Sequence, residues 1–236
     1  MNFRKFFAHA VAGLLLGSST ALTAQIEPGV YISNEDGVRH ELKIGKDYFI
    51  HSAYGTSPPK FIKTVGGFHT LGDDLLKVDL EFNSNHDENG LTELAIPILV
   101  KNKKLVLPMD GELEFVKQEP VNQALDGAWL FATRGPDKGQ ERRGDENPRK
   151  TLKWLQDGRF QWIAYNTDTR EFFGTGGGSY TSDNGKYVEN IDYFSRDDSR
   201  VGATLDFDYE LKNGDWHHSG KNSKGEPLYE IWAPRK

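Results

Sequence analysis

A carboxylate and an imidazole set in one apolar cavity can fix a polar ligand through hydrogen bonds, or exchange protons with it. In this chain Glu189, His218 and Glu230 are the candidates for that chemistry. Trp162, Tyr187, Tyr209 and Trp216 are the candidate walls of the cavity. Each of the three ionisable residues sits in a short alternating segment beside large apolar neighbours: Tyr187-Val188-Glu189-Asn190-Ile191, Trp216-His217-His218 and Leu228-Tyr229-Glu230-Ile231-Trp232. A buried carboxylate without a partner is costly, so Glu189 is expected to be paired or functional. Three roles remain open for Glu189 and His218: a structural network, contact with a ligand, or acid–base catalysis.

What assigns these side chains to the inside is an internal repeat. Shifting the sequence by 111 positions lays Phe49 on Phe160, Ala53 on Ala164, Tyr54 on Tyr165, Phe61 on Phe172, Thr64 on Thr175, and Gly66-Gly67 on Gly177-Gly178. The offset still holds at Lys101-Asn102, which meets Lys212-Asn213. Self-similarity at a fixed period marks duplicated structural units, and a unit of about 100 residues is a domain in its own right. In the first unit Leu76, Val78, Leu80 and Phe82 alternate with Lys77, Asp79 and Glu81, so the apolar set is expected to face a core. The repeat carries that set onto Tyr187, Glu189, Ile191 and Tyr193, which turns Glu189 inward where the first unit has Val78. His218 falls on Leu107. A hairpin at Asn213-Gly214 that pairs Leu211 with Trp216 places both inward, together with His218, and leaves His217 outward. Glu230 shares the parity of Leu228 and Trp232, and matching this segment to Leu113 and Phe115 needs one inserted residue, Pro227.

The elements that must hold these residues are strands. Ala203 to Leu211 alternates strictly between apolar and polar, and Leu75 to Phe82 and Leu94 to Val100 do much the same. Asp157-Gly158, Asn184-Gly185, Asn213-Gly214 and Lys224-Gly225 are hairpin turn signals, and no segment carries a helical period. The expected fold is all-β: two tandem antiparallel β-barrel domains, residues 25–119 and 120–236, after a leader at residues 1–24. Glycines inside the run Gly174-Thr175-Gly176-Gly177-Gly178 permit the bend that barrel closure needs. Read as a phosphate loop, the same run lacks the following Lys-Ser/Thr and a helix to cap.

Composition narrows the function. The chain has no cysteine, which removes disulfides, thiolate metal sites, thiol nucleophiles and a lipid-anchored cysteine. Its net charge of −6 argues against a nucleic-acid partner. Arg4 and Lys5, an apolar run from Ala10 to Leu16 and small residues up to Ala24 form a secretory leader, cleaved after Ala24 or Thr23. That apolar run is too short to span a bilayer, and no later stretch is long enough to cross one. The expected location is therefore the periplasm or the exterior. His217 and His218 point to opposite faces of a strand and make a poor metal chelate, and no motif implies a cofactor. The second unit also carries an extra segment between its first two strands, Thr133 to Arg149, with Arg134, Arg142, Arg143 and Arg149. Such a loop at a barrel mouth can close over a ligand or contact an anion, or simply be a solvated insertion.

Gly127-x-Trp129 followed by a long loop and an up-and-down strand series resembles the lipocalin-like, or calycin, barrels. Gly174-Thr175-Gly176-Gly177-Gly178-x-Tyr180, Trp216-His217-His218-Ser219-Gly220 and Tyr229-Glu230-Ile231-Trp232 resemble an uncharacterised family of secreted bacterial lipocalin-like proteins, over about Leu125 to Lys236. The resemblance implies the barrel fold and export, and no established activity. With a polar lining in place of a lipid binder's apolar one, the expected ligand is small and polar or carbohydrate-like. The alternatives are an enzyme using Glu and His in the same pocket on a small molecule or glycan fragment, and an interaction module whose barrel is filled.

Overall fold

The computed structural model describes residues 26–72, 74–101, 104–108, 111–136, 141–222 and 225–236. The expected leader, residues 1–24, lies outside the described residues, as do Asn102, Lys224 and residues 137–140 of the long loop. Two antiparallel barrels follow one another along the chain.

In the second half, eight strands close completely: β10 (Gly127–Arg134), β11 (Arg149–Gln156), β12 (Arg159–Asn166), β13 (Phe172–Asp183), β14 (Lys186–Phe194), β15 (Thr204–Lys212), β16 (Asp215–Lys221) and β17 (Pro227–Pro234), with β17 returning to β10. The first half repeats the plan with β1 (Gly29–Glu35), β2 (Val38–Ile44), β3 (Tyr48–Thr56), β4 (Pro59–Leu71), β5 (Leu75–Asn83), β6 (Glu93–Pro97), β7 (Leu99–Lys101), β8 (Lys104–Leu107) and β9 (Leu113–Lys117). Here β6 and β7 are two pieces separated at Ile98, one pairing β5 and the other β8, so the sheet curls nearly to closure and leaves that single seam.

The hairpins obey the turn chemistry of the sequence. Asp157-Gly158, Asn184-Gly185 and Asn213-Gly214 all have positive φ at both positions, the backbone that matches strand twist in a two-residue loop. The inner bend has a more specific cause. Between Gly66 and Gly67 in β4, and between Gly177 and Gly178 in β13, the register to the next strand shifts by one residue. A Cβ on Gly67 or Gly178 would lie 1.8 or 1.9 Å from the carbonyl oxygen of Asp79 or Asn190. Only glycine lets the strands cross this closely, and the bulge tightens the curl.

That bulge corrects part of the expected inward set. Beyond Glu81 and Asp192 the alternation flips, so Phe82 and Tyr193 leave their own lumens and pack between the barrels. Tyr193 lies against Tyr54, and Phe82 against Tyr165. Phe61 stacks on Phe172, its own partner in the repeat. A hydrogen-bonded polar network crosses this seam: Ser52 and Lys43 donate to Gln161 Oε1, while Gln161 Nε2 donates to Thr64 and Thr175. Arg159 and Lys43 bind the fully buried Glu41, and although burial works against the Glu41 carboxylate, their charges hold its pKa down at about 2.

Candidate functional site

The first lumen is packed by Leu42, Phe49, Leu76, Val78, Leu80, Leu107, Leu113 and Phe115, among other apolar side chains. His40 and His51 also sit inside it, their rings stacked 5.4 Å apart with Nδ1 and Nε2 at 3.2 Å.

The second lumen answers four of those apolar positions with ionisable groups. Lys153 on β11 stands at the repeat position of Leu42, Glu189 on β14 at that of Val78, and His218 on β16 at that of Leu107. His218 pairs across the ladder with Glu230 on β17, as Leu107 pairs with Leu113. Lys153 Nζ lies 2.9 Å from Glu189 Oε1, which also accepts the Tyr187 hydroxyl at 2.7 Å. The same ammonium is about 5 Å from the ring centres of Tyr187, Trp216 and Trp232, a cation–π enclosure that helps to offset its desolvation. Lys153 was within reach of the repeat comparison and is the member of this group that the sequence reading missed.

His218 is almost fully buried, at 3% exposure, and packs against Phe207, Trp216 and Tyr187. Its Nδ1 is 3.7 Å from Glu230 Oε2, beyond hydrogen-bond range, and neither ring nitrogen has a hydrogen-bond partner among the described residues. Burial and the nearby Lys153 ammonium push the imidazole pKa down, against the opposing pull of Glu230 and Glu189. Burial raises the Glu230 carboxyl, but the His218 ring and the charges of Lys153 and Arg134 outweigh it and hold its pKa low. At neutral pH the pair is therefore a neutral imidazole facing a carboxylate. Glu230 accepts one bond, from Trp232 Nε1 at 3.2 Å.

Of the remaining candidates, Trp216 and Tyr187 are fully buried in this cluster. Trp162 is half-buried on the same inner wall, next to Phe194, and Tyr209 is half-buried opposite His218 on β15. Leu211 does pair with Trp216 but is 48% exposed, because its end of β15 projects past the barrel rim. His217 faces outward and meets the Tyr229 hydroxyl at 2.9 Å. Among the described residues no three His, Cys, Asp or Glu side chains gather as a metal-ligand set, and no helix is long and apolar enough to cross a membrane.

At the end of the barrel where β10 leaves and β11 returns, a cavity of about 480 Å³ opens to solvent. Glu230, Trp232, Phe131 and Thr151 line its inner part, and Arg134, Arg143 and Arg149 line its rim. Glu230 thus joins the buried cluster to the open pocket. The described parts of the long loop are tacked to the outside of the barrel: Gly135 N donates to Tyr229 O, Arg143 N to Ala132 O, and Arg142 pairs with Asp215 at 2.7 Å. The arginine positions could not be read from strand parity, since they depend on the path of this loop. A scan against protein-family models finds no match for this chain, and a search of curated proteins finds none.

Proposed function

We propose that this chain is an exported lipocalin-like binding protein that holds a small polar, carbohydrate-like ligand in the second barrel. The observation that carries the reading is His218: a buried imidazole with both ring nitrogens unbonded, beside a carboxylate that lines an open pocket. Buried polar atoms are nearly always satisfied, and a hydroxyl-rich ligand would supply the missing donors and acceptors. Trp232 and Phe131 offer apolar faces next to these polar groups, as sugar rings require. The basic, apolar and small-residue order of the first 24 residues supports export to the periplasm or beyond.

Glu230 is held as a carboxylate at neutral pH, an acceptor for the hydroxyls of a ligand in the pocket.

A thermal-shift screen of the chain against neutral and acidic sugars tests the reading, because a ligand bound only by the folded state raises Tm by mass action. At least one sugar is expected to raise Tm, and the rise is expected to vanish in Glu230→Gln and His218→Leu while the unliganded variants stay folded. A panel in which no sugar moves Tm or perturbs the Trp232 indole resonance would sink the proposal, and turnover of a bound sugar that Glu230→Gln abolishes would replace it with the enzyme.

A further inference from the structure

The geometry points to an acidic sugar, one bearing a carboxylate such as a uronate, as the ligand class of this pocket, an inference that rests on the binding reading above. Arg143 and Arg149 both line the cavity rim, and neither makes an ion pair among the described residues. Each guanidinium lies against an aromatic ring instead: Arg149 is 3.3 Å from the centre of Phe173, and Arg143 is 5.3 Å from the centre of Phe131. Stacking fixes the plane of a guanidinium and leaves its N–H edges free, the arrangement that receives an oxyanion through paired hydrogen bonds. The accumulation runs against the chain's net charge of −6, so it does not follow from general basicity. It is also absent from the first barrel, where β1 and β2 are joined by the tight Asp36-Gly37 turn.

The carboxylates of the pocket set the ligand's orientation. Glu230 lies inward beside His218, and Glu141 shares the rim. A simple anion that reached Glu230 would be repelled, whereas a sugar hydroxyl can donate to it. A ligand with an oxyanion at one end and hydroxyls at the other fits both halves: its carboxylate on Arg143 and Arg149, its hydroxyls toward Thr151 and Glu230.

Isothermal titration of the full chain with D-galacturonate, D-galactose and inorganic sulfate tests this. Galacturonate is expected to bind about ten-fold or more tightly than galactose, as one charge-assisted pair would give. That preference should fall with added salt and disappear in Arg143→Gln/Arg149→Gln. Equal affinity for the two sugars in the parent chain would overturn the acidic class and leave the sugar pocket standing. Sulfate bound as tightly as galacturonate, and lost in the same variant, would overturn the sugar class. No heat with any of the three would overturn the inference, and the thermal-shift screen then decides whether the binding reading falls with it.

Discussion

The two barrels share their strand plan, their bulges at Gly67 and Gly178 and even the turn of helix between the fifth and sixth strands, at His86–Asn89 in one and Asp198–Arg200 in the other. Four apolar positions of the first interior carry ionisable groups in the second: Leu42, Val78, Leu107 and Leu113 against Lys153, Glu189, His218 and Glu230. Replacing a buried ion pair by apolar side chains of similar size is often neutral or stabilising. The first barrel is thus close to a ready-made control for the second: the fold does not require the charges, so a role beyond stability is the better account of them. The ends differ as well. A two-residue turn joins β1 to β2, whereas the β10–β11 connection brings arginines to an open cavity.

Breaking the pair on one side should have the largest effect. Lys153→Met strands Glu189 in an apolar enclosure and is expected to remove about 3–5 kcal/mol, read as a lower urea midpoint. Restoring the first barrel's residues together, Lys153→Leu, Glu189→Val, His218→Leu and Glu230→Leu, should recover most of that loss; a quadruple variant as unstable as the single one would show that the second barrel has come to depend on its charges. On the inter-barrel side, Arg159→Ala leaves the buried Glu41 with only Lys43 and the Tyr54 hydroxyl and is expected to remove about 2–4 kcal/mol, with both barrels losing protection in hydrogen exchange.

A smaller effect separates the barrels by pH. The His218 pKa is lower folded than unfolded, so its neutral form favours the fold above the unfolded value near 6.5. As pH falls below that value the unfolded chain takes up a proton that the folded chain resists, and stability drops by up to about 1.4 kcal/mol per pH unit. Between pH 7.5 and 5.5, His218→Leu should flatten the stability curve relative to the parent, and an unchanged slope would argue against a buried neutral imidazole. The smallest effect is expected at the half-exposed Arg142–Asp215 pair, where Arg142→Ala should change stability by less than about 1 kcal/mol.

Glu189 and His218 were legible because the repeat supplies an inside and an outside: a charged residue falling on Val78 or Leu107 is conspicuous in a way that parity within one strand is not. The same comparison reaches Lys153 through Leu42, so that residue was legible and passed over. Tyr193 was not, because its direction is set by a bulge that depends on how closely Asn190 O approaches Gly178, a matter of backbone path. The polar residues between the barrels read as ordinary solvent-facing alternation, since Ser52, Thr64 and Gln161 sit on outer faces and only the neighbouring barrel makes those faces an interior. Nor do spacing and composition place Arg143 and Arg149 around a cavity, because a loop without period carries no sign of where it returns.

Phe61 stacked on Phe172 has a meaning of its own. A residue that touches its own counterpart lies at a two-fold axis, and the Tyr54–Tyr193 and Tyr165–Phe82 contacts are the two copies such an axis generates. The seam has the contact pattern of a symmetric homodimer, carried here within one polypeptide. In a true homodimer every substitution is made twice, so a charge placed in one lumen appears in both. Fusion lifts that restriction: one half keeps the packed, load-carrying interior while the other is free to open a mouth and trade leucines for lysine, glutamate and histidine.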